Sequence, residues 1–194
     1  MEKIVFATNN AHKLAELRQM LGGRFLLLSL DDIGCHDDIP ETGSTFEENA
    51  LQKARWVKER YGYDCFADDS GLEVYALGGA PGIMSARYAG THGDSDANNA
   101  RLLRELGDNT DRRARFRCVI ALLQGDSEPQ FFSGSVEGDI LHEAAGCGGF
   151  GYDPLFRPLG WSYTFAEATP DEKNAVSHRG KAVAALVEAL SSHN

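Results

Sequence analysis

In Cys65-Phe66-Ala67-Asp68-Asp69-Ser70-Gly71-Leu72 a short apolar run ends in two adjacent carboxylates, a hydroxyl and a glycine, and a second apolar run begins at Leu72. Aspartate is a poor strand former and Ser-Gly is turn chemistry, so the carboxylates are expected where a strand breaks open. Two like charges side by side at the end of a buried strand repel each other. A divalent cation, or an incoming positive group, relieves that repulsion. The same residues also make an ordinary solvated turn, so a chemical role needs partners elsewhere in the chain.

The amino terminus offers one set. Lys3 to Ala7 is β-branched and aromatic without alternation, the pattern of a strand covered on both faces. It runs into Thr8-Asn9-Asn10 and then a helix marked by Leu14, Leu17 and Leu21, stopped by Gly22-Gly23. Backbone N–H groups at such a helix start hold anions, and Thr8, Asn9, Asn10 and Lys13 add a hydroxyl, two amides and an ammonium. The alternative is a capped turn with a surface lysine. After a second strand, Phe25 to Leu30, a polar loop carries Glu41. Ser44-Thr45-Phe46-Glu47 reads as a capping box opening a helix from Thr45 to about Tyr61. Phe46, Ala50, Leu51, Ala54 and Val57 form its buried face, and Lys53, two turns in, is placed to reach back towards the carboxylates.

Further along, Leu77 to Gly82 is a loop without the G-x-G-x-x-G of a dinucleotide site. Asp94 to Leu106 has helical spacing, and Arg112 to Leu123 with Gln130 to Leu141 reads as a long hairpin. Glycines around Phe150, Tyr152 and Asp153 let the backbone approach a flat ligand while an aromatic covers its face, or else make a loop packed on its own aromatics. Thr169-Pro170-Asp171-Glu172 is a capping box starting a short helix with Lys173. His178 and Arg179, beside Gly180, are helix-end charges or donors for a carbonyl or phosphate; a last helix follows from Lys181 to Leu190.

The chain has 194 residues, 42% hydrophobic and 25% charged, which suits one soluble globular domain. Its formal net charge of −10 argues against a general nucleic-acid or membrane-surface binder. A phosphorylated small molecule remains compatible if lysines, arginines and a metal ion converge locally. Cys35, Cys65, Cys118 and Cys147 form no C-x-x-C pair, which fits a reducing compartment and no zinc site. The opening residues do not make a signal peptide or membrane span, so a cytoplasmic location is expected.

Taken in order, five motifs resemble one family. They are Thr8-x-Asn10-x-x-Lys13, Ala67-Asp68-Asp69-Ser70-Gly71-Leu72, Gly78-Gly79-Ala80-Pro81-Gly82, Phe150-Gly151-Tyr152-Asp153-Pro154, and Lys173 followed by Ser177-His178-Arg179-Gly180. The family is the inosine/xanthosine triphosphate pyrophosphatases, also called Ham1-like, and the resemblance covers about residues 3 to 190. It implies an α/β fold of three layers, α/β/α, with a long mixed β-sheet and two lobes around a central cleft. The whole chain, 1–194, would be a single domain with the hairpin 112–141 in one lobe, working as a homodimer. It also implies magnesium-dependent hydrolysis of ITP, dITP or XTP to the monophosphate and pyrophosphate. By motif match, Thr8, Asn9, Asn10 and Lys13 hold the triphosphate with help from Lys53, Asn9 through its backbone. Glu41 and Asp69 bind magnesium, supported by Asp68, and Asp69 is the proton acceptor. Ser70 contacts substrate, while Phe150, Gly151, Tyr152, Asp153, Lys173, His178 and Arg179 form the nucleobase pocket. Glu41 is matched by its context alone.

The implied chemistry is physically coherent. Cleaving between the α- and β-phosphates requires neutralising a leaving pyrophosphate and activating a water, tasks for magnesium, lysine and a neighbouring aspartate. Hypoxanthine and xanthine present a carbonyl at C6 where adenine presents an amino group, so a donor-lined pocket separates them. A haloacid-dehalogenase-like phosphatase needs its two aspartates two positions apart. A P-loop needs G-x-x-x-x-G-K-[ST], and here Gly180-Lys181 is followed by Ala182. A Maf-like pyrophosphatase acting on other nucleotides, and a nucleotide-binding regulatory module without turnover, are the alternatives that remain.

Overall fold

In the computed structural model, which describes residues 3–191, a first strand whose successive apolar side chains are buried on opposite faces sets the layering. The elements in chain order are β1 (Lys3–Phe6), α1 (Ala11–Leu21), β2 (Leu26–Leu28), α2 (Phe46–Tyr61), β3 (Cys65–Val74), α3 (Ser95–Leu106), β4 (Arg113–Leu123), β5 (Gln130–Ile140), β6 (Phe156–Pro158), α4 (Pro170–Val176) and α5 (His178–Ser191), joined by loops and short 3-10 turns. One six-stranded sheet has the order β2-β1-β3-β4-β5-β6. β1 pairs parallel with β2 and β3, and β5 pairs antiparallel with β6, so the sheet is mixed and the fold is α/β.

The chain forms two compact units. The first contains the residues through Asp69, Cys118–Ser133 and the segment from Arg179 on; the second contains Ser70–Arg117 and Gly134–His178. In the first, Ile4 and Phe6 pack with Phe66, Ile120 and the α1 and α5 residues Leu17, Leu21 and Leu186. Val5 and Ala7 pack instead with Cys65, Ala67 and the α2 residues Ala54 and Val57. Successive side chains of a strand point to opposite faces. This unit is therefore a sheet with α1 and α5 on one side and α2 on the other. In the second unit Leu72, Val74, Leu102, Phe116, Phe156 and Phe165 make one core. Phe116 lies 4.6 Å from Phe156 between ring centroids.

Several expected boundaries shift for identifiable reasons. β2 is shorter than Phe25 to Leu30 because it is an edge strand with β1 as its one neighbour, and Leu26 is 41% exposed. The cap of α2 sits one residue later than the capping box read from Ser44. Thr45 Oγ1 accepts from the Glu48 amide, and the Glu48 carboxylate accepts from the amide and hydroxyl of Ser44. The last helix starts at His178, since the break after α4 is confined to Ser177. The capping box at Thr169 and Glu172 forms as read. The hairpin 112–141 does not lie in one unit: residues 118–133 belong to the first, and the outer parts of both strands to the second. Both strands are eleven residues long, about 36 Å, and each contributes to both units. No helix among the described residues is long and apolar enough to cross a membrane.

Candidate active site

The alternation that layers the first unit also separates the two aspartates. Phe66 joins the core on the α1/α5 side, and Cys65 and Ala67 join the core on the α2 side. Two residues on from Phe66, Asp68 therefore points towards α1 and α5, and Asp69 points towards α2. The two side chains face opposite ways, yet each lies within electrostatic reach of the other's lysine, Lys13 acting on Asp69 and Lys53 on Asp68.

Asp68 is 1% exposed and is held by cations. Lys13 Nζ donates to it at 3.1 Å and Arg179 Nε at 3.4 Å. Arg179, 2% exposed, also donates through Nη1 to Glu16 at 2.6 Å. Burial opposes the guanidinium charge, but Asp68 and then Glu16 more than offset it and hold Arg179 above its ordinary pKa. Asp68, expected beside Asp69 at a metal, is engaged by Lys13 and Arg179, and Arg179, expected at a nucleobase, takes part in that ion network in the first unit.

Asp69, 6% exposed, accepts from Asn49 Nδ2 at 3.0 Å. Burial, with a smaller contribution from the charge of Glu41, raises its pKa to about 6 against the opposing pull of Lys53 and Lys13. Lys53 donates to Glu41 at 2.6 Å. Burial works against its charge, but Glu41, Asp69 and Asp68 together lift its pKa above the ordinary lysine value. Lys53 is thus a positive group that relieves carboxylate repulsion here, bonded to Glu41 and acting on both Asp69 and Asp68. Among the described residues no group of three or more His, Cys, Asp or Glu side chains is placed to hold a metal ion. Two carboxylates fit magnesium, which keeps several waters and completes its shell with substrate phosphates, better than an ion that needs a full protein cage.

At the start of α1 the side chains hold the turn. Asn10 is the N-cap, its Oδ1 accepting from the amides of His12 and Lys13, and Thr8 Oγ1 accepts from the Asn10 amide. With these oxygens used as acceptors, what Thr8 and Asn10 retain are donors, the chemistry an anion requires. Asn9 is exposed beside them.

The second unit holds the remaining candidates. Lys173 and Asp153 form a buried ion pair at 2.7 Å. Asp153 Oδ2 also accepts from the Phe150 amide at 3.0 Å, and Lys173 Nζ lies 4.7 Å from the Phe150 ring centroid. Tyr152 is buried, and its hydroxyl donates to the Ser85 carbonyl at 2.7 Å, so the half-buried Phe150 is the aromatic with surface left for a flat ligand. Gly151 is held by Asn99, whose amide donates to its carbonyl at 3.1 Å. His178 is buried and stacks on Phe116 with centroids 4.8 Å apart. Ser70 is half-buried on β3 next to Asp69. Asn49, Glu16 and Asn99 escape the sequence reading. Of these only Asn49 carries a usable signal, its position one turn before Lys53 on the same helix.

Gly149 tests how tightly the Phe150 loop is built. Its φ is +64°, and a Cβ there would lie 2.2 Å from Asp153 Oδ2; at Gly151, φ +60°, a Cβ meets open space. Both glycines suffer the left-handed backbone penalty on conversion to alanine, about 1 kcal/mol. Gly149→Ala is expected to cost about 1–3 kcal/mol more than Gly151→Ala in urea unfolding, because it also displaces Asp153 from Lys173. Equal costs would mean that the loop accommodates the methyl group.

Similarity to known proteins extends over nearly the whole chain. The model of the Ham1 family matches residues 4–189. A dITP/XTP pyrophosphatase of Porphyromonas gingivalis is 53% identical over 191 residues, covering 98% of both chains. One of Flavobacterium psychrophilum is 50% identical over 186 residues, covering 96% of this chain and 97% of the other. Among solved structures, the Staphylococcus aureus Ham1 protein superposes with a TM-score of 0.90 at 40% identity, covering 100% of both chains. A nucleoside-triphosphatase / dITP/XTP pyrophosphatase from Mycobacterium abscessus gives 0.78 at 48% identity, covering 95% of this chain and 98% of that one.

Proposed function

The chain belongs to the Ham1 family, and we propose that it is a nucleoside-triphosphate pyrophosphatase hydrolysing dITP, ITP and XTP to the monophosphate and pyrophosphate with magnesium. The observation that carries the reading is Asp69: a buried carboxylate beside Glu41 and Lys53, with its pKa raised to about 6. At neutral pH such a group is ionised, yet basic enough to take a proton from water. Removing deaminated purines from the nucleotide pool is the corresponding role, and the working form in this reading is a cytoplasmic homodimer.

Glu41 and Asp69 would hold the magnesium, which lowers the pKa of a coordinated water and neutralises charge on the leaving pyrophosphate. Thr8, Asn10 and Lys13, with the amides at the start of α1, bind the triphosphate oxygens. Lys53 supplies positive charge where negative charge accumulates. Asp69 accepts the proton of the attacking water as its oxygen bonds to the α-phosphorus. The bond from that phosphorus to the bridging oxygen breaks, and its electron pair leaves with pyrophosphate. Phe150 covers a purine face. His178 and Lys173, rather than Arg179, are the donors for the C6 carbonyl. Adenine would present its amino donor to those donors, an uncompensated loss of about 1–3 kcal/mol per group.

Pyrophosphate release from dITP, XTP, dATP and dGTP, measured with and without magnesium, tests the proposal. Release from dITP and XTP only with the metal, and at least about tenfold slower release from dATP, is the expected result. Equal rates on dATP would remove the selectivity argument. Tight dITP binding with no product would favour a binding module over an enzyme.

A further inference from the structure

The loop carrying Glu41 is fastened rung by rung to one face of α2. Ser44 donates to Glu48 at 2.7 Å through its amide and 2.9 Å through its hydroxyl, and the Gly43 amide donates to Asn49 Oδ1 at 2.8 Å. The Thr42 amide donates to Gln52 Oε1 at 2.9 Å while Gln52 Nε2 returns a bond to Thr42 Oγ1 at 3.0 Å, and Glu41 takes Lys53 at 2.6 Å. Four successive loop residues thus meet helix residues on one face, in reverse order. The approach at Gly43 is too close for a side chain: a Cβ would lie 2.6 Å from Glu48 Cβ and 2.8 Å from Asn49 Oδ1.

One rung differs from the rest. Asn49 is fully buried, and the amide whose oxygen takes Gly43 uses its nitrogen to donate to Asp69 Oδ2 at 3.0 Å. A carboxamide is rigid, with acceptor and donor a fixed distance apart. We propose that Asn49 is a positioning residue that sets the spacing between the Glu41 loop and the Asp69 carboxylate, and so the geometry of the two-carboxylate site. The inference rests on the reading of Glu41 and Asp69 as the metal-holding pair. A shift of the loop against β3 would change the span between those carboxylates while leaving the remaining groups of the site in place. Partners of this kind, which orient ligands without touching the metal, typically change metal affinity or activity 10- to 100-fold when lost.

The test uses the intact chain. Asn49→Asp is close in size, keeps an acceptor for the Gly43 amide and replaces the donor to Asp69 by a second carboxylate; Asn49→Ala removes both bonds. Gln52→Ala breaks the Thr42 rung of the same loop without touching Asp69. Manganese(II) titrated by EPR in the presence of the α,β-methylene analogue of dITP reads metal affinity without turnover. Both Asn49 variants are expected to weaken manganese binding about 10- to 100-fold. Their kcat on dITP is expected to fall about 100-fold while KM stays within about threefold, and Gln52→Ala stays within about threefold of native in all three quantities. If Asn49→Ala does not fold, the near-isosteric Asn49→Asp decides. Native-like manganese affinity and kcat in Asn49→Asp would overturn the proposal, as would equal losses in Gln52→Ala, which would mean that the loop matters only as a whole. Failure of the functional reading is seen separately, as absence of manganese uptake and pyrophosphate release in the native protein.

Discussion

Asp69→Asn is expected to lower magnesium-dependent pyrophosphate release at least about a thousandfold and, in the same molecule, to make the metal-free protein harder to unfold above pH 6. The first effect combines the loss of a general base, about 10²- to 10⁴-fold, with the loss of a carboxylate assigned to the metal. The second follows from linkage. In the fold the Asp69 pKa is raised from 3.8 to about 6, chiefly by burial. Between those values the folded chain binds a proton that the unfolded chain has released, so stability declines as pH rises through this window. Above pH 6 the ionised carboxylate carries its full cost, about 1–3 kcal/mol after allowing for screening at a group that is not completely buried. Asparagine never carries that cost, and its carbonyl still accepts from Asn49. Urea unfolding with a chelator at pH 5 and pH 8 reads the difference directly: the advantage of the variant should be larger at pH 8. Turnover of the native enzyme should fall as pH drops and Asp69 takes up its proton, with the midpoint of that loss below 6 once a bound cation favours the ionised form. Retention of a tenth of the activity, or a stability difference that does not vary with pH, would contradict the assignment of Asp69.

Much of this arrangement is legible in the sequence, and the failures share one cause. α1, α3 and α4 announce themselves through caps and apolar spacing, both local signals: Asn10, Asp94 and Thr169 each cap their helix as their residue types predict. β1 reads correctly as covered on both faces because Ile4 and Phe6 meet one core and Val5 and Ala7 the other. The period of two that places those residues also implies that Asp68 and Asp69 face apart. Their adjacency nevertheless suggests a single charged site, because repulsion between neighbours is easier to see than the element that will meet each of them. What sequence patterns do not reveal is pairing over distance. Arg179 and Asp68 are 111 residues apart, and Lys13 and Asp68 are 55 apart. Beside Gly180, Arg179 looks like a donor awaiting a ligand. Only the packing of α5 and α1 against one face of β3 turns it into the partner of Asp68 and Glu16. Asn49 is a polar residue on the buried face of α2, and its one sequence signal, a place one turn before Lys53, does not name the loop and strand it joins.

Arg179→Met is the substitution that separates the two roles open to this arginine, and a loss of about 3–5 kcal/mol in unfolding free energy is expected from it. The penalty comes less from the bonds lost than from what stays behind. Asp68, 1% exposed, would lose one of the cations that hold it, and Glu16 would lose the guanidinium at 2.6 Å. An uncompensated buried carboxylate is costly, and domains have only about 5–15 kcal/mol in reserve. If that is the origin of the loss, neutralising Asp68 should return part of it. Arg179→Met with Asp68→Asn is therefore expected to be more stable than Arg179→Met alone, although it carries one more substitution. Arg179→Lys, which keeps the charge but not the planar fork reaching both carboxylates, should fall between native and Arg179→Met. An arginine held in reserve for a nucleobase behaves differently: its replacement would leave unfolding within about 0.5 kcal/mol of native and raise KM for dITP. Urea unfolding of the three variants, set beside their KM for dITP, decides between a guanidinium that supports the Lys13–Asp68 pair and one that reads the base. With Arg179 engaged at 3.4 Å from Asp68 and 2.6 Å from Glu16, the larger effect belongs on the stability axis.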